Sequence, residues 1–148
     1  MCSLTPESEV DGILFDTNVI SELVKPKPDP KVVAFVGQVV SPWISSLTLH
    51  ELVYGAERSP DPKRRTKLLT WIAQITTEFA ERTIGIDAAV AELSGRLRAL
   101  AAAQGRPATA IDALIAASAE IRGLKLATRN AKDFEPFGVA VLNPWNRE

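Results

Sequence analysis

Four places in this 148-residue chain put oxygen-bearing side chains where chemistry could be done: Asp16, Glu51, Asp112 and the Asn130/Asp133 pair. Each follows, or lies close to, the carboxyl end of a predicted strand or the first turn of a helix. In a parallel α/β sheet those points converge on one rim, the edge where ligands collect. Three acids meeting there would repel one another by ~4 kcal/mol for each pair about 4 Å apart near a surface. No lysine or arginine is adjacent in sequence to Asp16, Glu51 or Asp112. A hard divalent cation, Mg²⁺ or Mn²⁺, is the economical counter-charge, because such ions take oxygen ligands, often only one or two carboxylates directly, and keep several waters. A local reading stands beside this one. Asp16 is a good cap for the helix that follows it, and Thr48-x-x-Glu51 and Thr109-x-x-Asp112 are capping-box patterns in which the acid satisfies free backbone donors.

The elements that must position these residues can be read from the apolar pattern. Ile13-Leu14-Phe15 is the short apolar run of a strand buried on both faces, and a helix over 17–24 follows Asp16. The prolines of Lys25-Pro26-Lys27-Pro28-Asp29-Pro30 force a surface connection. Pro30 opens a helix whose apolar face is expected from Val32, Val33, Phe35, Val36, Val39 and Val40. Trp43 to Ser46 reads as a second strand, and residues 48–58 as a helix with Glu51 in its first turn. A helix to Phe79 follows, its start carrying the one basic cluster, Lys63, Arg64, Arg65 and Lys67, by default a solvated helix end.

Residues 82–86 suggest a third strand, and 87–104 a helix stopped by Gly105. The helix 110–123 is apolar nearly all round until Ser118, apart from Asp112, and belongs in the core. A carboxylate near its start is costly unless paired, hydrogen-bonded or metal-bound. Strands at 124–128 and 139–142, separated by a turn over 129–134, complete a βαβα alternation. The expected fold is α/β: a single domain over 12–146, with a mostly parallel sheet of about five strands flanked by helices, after a flexible tail over 1–11.

Composition narrows the function classes. Net charge is −1, so affinity for a polyanion would need a local patch or a bound cation. One cysteine, Cys2, and one histidine, His50, exclude an internal disulfide and zinc sites built on cysteine or histidine clusters. There is no phosphate-binding glycine loop and no serine nucleophile elbow. No apolar run has the length of a membrane span and residues 3–12 contain no signal-peptide core, so a cytoplasmic location is expected and no membrane contact.

Four stretches, in this order, resemble the PIN-domain toxins of the VapC and FitB type. They are Leu14-Phe15-Asp16-Thr17-Asn18-Val19-Ile20-Ser21-Glu22, Ser45-Ser46-x-Thr48-x-x-Glu51-Leu52-x-x-Gly55, Ile111-Asp112-Ala113-Leu114-Ile115-Ala116-Ala117 and Ala127-Thr128-Arg129-Asn130-x-Lys132-Asp133-Phe134. Leu142-Asn143-Pro144-Trp145 is similar to the FitB-type ending, so the resemblance spans nearly the whole chain. It implies a Mg²⁺- or Mn²⁺-dependent endoribonuclease of a toxin–antitoxin pair, a homodimer held inactive by a small antitoxin that also binds operator DNA. Asp16, Glu51 and Asp112 match the family's three acids. At the fourth acidic position this chain has Asn130, which can accept through its carbonyl oxygen but carries no charge, with Asp133 three residues on. Asn18 and Thr128 match polar positions that orient ligands, and Arg129 is the arginine nearest the site in sequence.

The mechanism that follows is hydrolysis of RNA phosphodiesters at a cation held by Asp16 and Asp112, with Glu51 acting directly or through water. Two alternatives remain at the level of sequence: a catalytically weak or silent PIN fold that only binds a partner, suggested by Asn130, and an aspartate-based phosphotransfer domain, which also places an aspartate after its first strand.

Overall fold

The computed structural model describes residues 12–146; the tail expected over 1–11, with Cys2, lies outside the described residues. Among the described residues, strands β1 (Ile13–Phe15), β2 (Pro42–Ser45), β3 (Thr83–Ile84), β4 (Lys125–Ala127) and β5 (Val141–Leu142) form one sheet in the order β3-β2-β1-β4-β5. Every pairing is parallel. Parallel neighbours need long crossovers. These are supplied by helices α1 (Thr17–Glu22), α2 (Pro30–Gln38), α3 (Ser46–Glu57), α4 (Pro62–Glu78), α5 (Ala88–Ala103), α6 (Ala110–Arg122) and α7 (Ala131–Phe134).

Helices cover both faces, which is why β1 and β4 dispense with the apolar–polar alternation of a half-exposed strand. Ile13 and Phe15 enter a core shared with α1 to α4, whereas Leu14 enters a second core shared with α5, α6 and α7. The residues of α6 from Ile115 to Ala119 are all buried, as its composition predicts. Gly123 ends this helix at φ +67°, a left-handed position that favours glycine, and the Leu124 N–H closes the turn onto the Ala119 carbonyl at 2.8 Å.

The sheet order reverses between β1 and β4. In α/β sheets a crevice opens outside the carboxyl ends of the strands at such a point. Phe15 pairs in register with Ala127, so the next residues, Asp16 and Thr128, face each other across it.

Several sequence expectations are corrected. β3 is confined to Thr83–Ile84 because Arg82 is drawn into a 3₁₀ turn, Ala80–Arg82, with its side chain donating to the Pro42 carbonyl at 2.7 Å. Residues 131–134, expected as a turn, form α7. α2 ends at Gln38, leaving Val40 beyond it and 65% exposed, and Val33 on the helix is 45% exposed, so the buried face is narrower than the valine pattern suggests and rests on Val32 and Phe35.

Candidate active site

Asp16 is both cap and site residue. One oxygen, Oδ1, accepts the Thr17 N–H at 2.8 Å and starts α1; Oδ2 accepts the Thr128 hydroxyl at 2.8 Å across the β1/β4 crevice. Thr128, fully buried, in turn accepts the Asn130 N–H at 3.1 Å. Asn18 closes the bridge from α1, with its Oδ1 accepting the Arg129 N–H at 3.1 Å and its Nδ2 lying 3.4 Å from the Thr128 hydroxyl. Asn18 and Thr128 thus orient Asp16 and the chain after β4.

Burial pushes the Asp16 carboxyl up to about 6; the Thr128 and Thr17 hydrogen bonds oppose this, while the negative charges of Asp112 and Glu51 add to it. Replacing Thr128 by valine, which keeps the shape but removes the hydroxyl, is expected to destabilise the fold by about 1–3 kcal/mol, because Asp16 and the Asn130 N–H both lose a partner. Urea denaturation at neutral pH measures this; an unchanged midpoint would deny the bridge a structural role.

Glu51 arrives by a different route from the one its sequence suggests. The cap of α3 is Ser45, whose hydroxyl accepts the Leu47 N–H at 3.0 Å, so the helix begins at Ser46 and no Thr48–Glu51 capping box forms. Glu51 is therefore one turn further along, where its Oε1 accepts the Thr17 hydroxyl at 2.6 Å. Thr17 also lies 3.1 Å from the hydroxyl of fully buried Thr48. A short bond from a hydroxyl to a carboxylate is of the stronger, charge-assisted kind.

Asp112 occupies the third position of α6, with its N–H donating to the Thr109 hydroxyl at 3.1 Å, so the first half of the predicted capping box is present. Its carboxyl is half-buried at the open end of a buried helix. Burial raises its pKa, the Thr109 hydroxyl lowers it, and the charges of Asp133 and Glu51 raise it further.

The structure separates the two candidates for a fourth acid. Asp133, on α7, lines a cleft of about 250 Å³ together with Asp112, Thr109 and Arg106, and its charge bears on Asp112. Asn130 is exposed at the start of α7, and its side chain makes no capping bond there. It lines an adjoining cleft of about 420 Å³ with Arg129, Lys132, Asp133, Asn143 and Asn146. Arg129 is turned aside, its guanidinium 5.2 Å from the centre of the Trp145 ring, while its carbonyl accepts from Asn143 Nδ2 at 3.2 Å.

Asp16 thus bears the charges of Asp112 and Glu51, and Asp112 those of Asp133 and Glu51. The two ion pairs among the described residues, Lys25 with Glu22 and Arg106 with Glu135, involve none of them. All the donors are hard oxygens. No three of His, Cys, Asp and Glu among the described residues stand together as a ready cage for an ion. Hard oxygen donors are of the kind that Mg²⁺ or Mn²⁺ takes, often through one or two carboxylates with waters completing the shell.

Residues that the sequence alone did not single out include Thr17, Arg106 and the Asn143/Trp145 support of Arg129. Thr17 had a usable signal, since a hydroxyl beside a strand-end aspartate can reach the next crossover. Arg106 had none. Of the basic cluster, Arg64 lines an apolar groove of about 360 Å³ that reaches Thr17 and Glu51.

The chain is similar to known proteins in sequence and fold. The model of the PIN domain matches residues 13–137. Toxin FitB of Neisseria gonorrhoeae is 36% identical over 137 residues, covering 90% of this chain and 99% of FitB. The tRNA(fMet)-specific endonuclease VapC of Shigella flexneri is 35% identical over 134 residues, covering 90% and 97%. Among solved structures, FitAB bound to the IR36 DNA fragment gives a TM-score of 0.87 at 34% identity, over 92% of this chain and 97% of the matched one. DNA-bound VapBC from Salmonella typhimurium gives 0.70 at 30% identity, over 89% and 97%.

Proposed function

Because this chain belongs to the PIN-domain family, we propose that it is the ribonuclease toxin of a type II toxin–antitoxin pair, a Mg²⁺- or Mn²⁺-dependent endoribonuclease acting in the cytoplasm. The observation that carries the reading is that buried Asp16 bears the charges of Asp112 and Glu51, and Asp112 those of Asp133 and Glu51, while neither ion pair among the described residues involves any of them. Relatives named as ribonucleases and endonucleases support the chemistry, and neighbours solved as toxin–antitoxin complexes or systems, with FitAB and VapBC neighbours bound to DNA, support a small antitoxin partner. A homodimer, and attachment to operator DNA through the antitoxin, belong to the same proposal. Family membership leaves the phosphotransfer alternative without support.

In this mechanism Asp16 and Asp112 would hold the cation, with Glu51 and Asp133 as the further acids beside it. When bound, such a cation lowers the pKa of a water and neutralises charge on the scissile phosphate. Thr128 and Asn18 keep one Asp16 oxygen aimed across the crevice, and Thr17 fixes the Glu51 rotamer. Burial of Asp16 keeps bulk water from screening its charge. The clefts beside Asp112 and Asp133 are open and mixed in polarity, suited to an unpaired strand with splayed bases more than to an A-form groove.

The purified chain, given total RNA, is expected to cut only with Mg²⁺ or Mn²⁺ present, to stop on chelation, and to be silenced by its antitoxin. Mapped 5′ ends would identify the target. Intact RNA under saturating metal would favour the silent PIN fold that Asn130 suggests.

A further inference from the structure

Asp133 is a site acid in an unpromising position. Its helix, α7, has only four residues and no side-chain cap, and so short a helix has little stability of its own. Like charges also oppose its approach, since Asp133 and Asp112 repel each other across the shared cleft. Phe134 anchors one face of α7 in the core, where its ring meets Phe137 edge to face at 5.9 Å. That anchor does not by itself fix how the exposed Asp133 turns toward α6.

Arg106 does. Its backbone is tied to the end of α5, with its N–H donating to the Ala101 carbonyl at 3.0 Å. From there its side chain spans to α7, where Nη2 donates to the Lys132 carbonyl at 2.9 Å and Nη1 lies 3.3 Å from Glu135 Oε1. The Lys132 carbonyl belongs to the peptide unit that carries the Asp133 N–H. Gln104 adds a parallel strut, donating from Nε2 to the Pro136 carbonyl at 3.0 Å. One guanidinium bonded to a backbone carbonyl and to an exposed carboxylate holds an orientation that a single point contact cannot. Arg106 also lines the cleft shared by Asp112 and Asp133 without being paired to either.

We propose that Arg106 is a positioning residue that grips the peptide unit before Asp133 and so makes Asp133, in place of Asn130, the fourth acid of the cation site. The inference rests on the nuclease reading above and adds a residue through which its cation affinity is set. Supporting residues that orient a ligand typically change metal affinity by about 10–100-fold when removed.

Calorimetric titration of Mn²⁺ into the parent chain, R106Q, D133N and the double variant tests it. R106Q is expected to weaken binding by about 10-fold. The double variant should bind no worse than D133N alone, since a positioning residue has nothing left to position. Parent-like affinity in R106Q, or losses that multiply in the double variant, would overturn the proposal. R106K should fall between parent and R106Q, because an ammonium can satisfy one of the two partners well but not both in a fork. Amide hydrogen exchange in metal-free protein gives a second readout: the α7 amides should exchange faster in R106Q while those of α6 do not. Unchanged α7 exchange would overturn the grip. If the parent takes up no Mn²⁺ at all, the metal part of the functional reading fails, and exchange still decides whether Arg106 holds α7.

Discussion

Asp16→Asn and Asp112→Asn are each expected to lower RNA cleavage by more than about 100-fold at saturating Mn²⁺, beyond the loss seen when only an orienting partner of a metal site is removed. The change removes one charge and keeps the shape. In Asp16→Asn the remaining carbonyl oxygen can still accept the Thr17 N–H, and asparagine caps helices as well as aspartate does, so α1 should start where it does now. In Asp112→Asn the backbone bond to Thr109 is untouched and a repulsive neighbour of Asp133 disappears. Far-ultraviolet circular dichroism should therefore match the parent in both. Glu51→Gln should cost less, since Glu51 is already engaged by the Thr17 hydroxyl and can act through water. Single-turnover cleavage of a labelled RNA, with metal titrated in each variant, is the measurement. Rates within a few-fold of the parent at both positions would place the chemistry elsewhere.

Why those acids could be found in the sequence, and others not, has a physical explanation. Asp16 was legible because an apolar run buried on both faces stops abruptly at it, and a parallel sheet leaves few places for such a residue to go. Asp112 was legible as the one charge in an otherwise apolar helix. A strand buried on both faces also accounts for Leu14 facing one core and Phe15 the other, whereas the strand order was not read from the sequence. Boundaries were less legible, because they turn on single hydrogen bonds. Ser45 rather than Thr48 caps α3, and Arg82 shortens β3 by reaching the Pro42 carbonyl. The place of Asp133 in a cleft beside Asp112 could not be read at all. It depends on α7, four residues held by long-range contacts from Phe134 and Arg106, whose effect no local propensity encodes. Thr128 was read as an orienting or turn-forming residue; its burial against Asp16 from a strand 112 positions away in sequence emerges only when β1 and β4 pair.

Without divalent metal, the chain should lose stability as pH rises from about 4 to about 7, against the usual behaviour of a salt-bridged protein. The sign comes from Asp16. Its carboxyl is raised from 3.8 to about 6, chiefly by burial, so between those values the folded chain binds more protons than the unfolded one. The contribution is fully present below the unfolded pKa and is lost as pH rises through the folded one; at ~1.4 kcal/mol per pKa unit the loss is about 3 kcal/mol. Asp112 acts in the same direction with less weight, being half-buried. Glu22 acts in the opposite direction, held low first by its hydrogen bond from Lys25 and then by the Asp29 N–H, and its contribution disappears only at more acid pH. A divalent cation should offset most of the loss by binding the deprotonated acids of the folded state, adding ~2.7 kcal/mol at a concentration 100 times its Kd. Urea midpoints in chelator at about pH 5 and about pH 8, repeated with Mn²⁺ at the higher pH, measure both effects, and Asp16→Asn should flatten most of the slope. A metal-free parent equally stable at both pH values, or a variant that keeps the slope, would mean that the buried charge of Asp16 is compensated from within the fold, and the need for a cation would lose its physical basis.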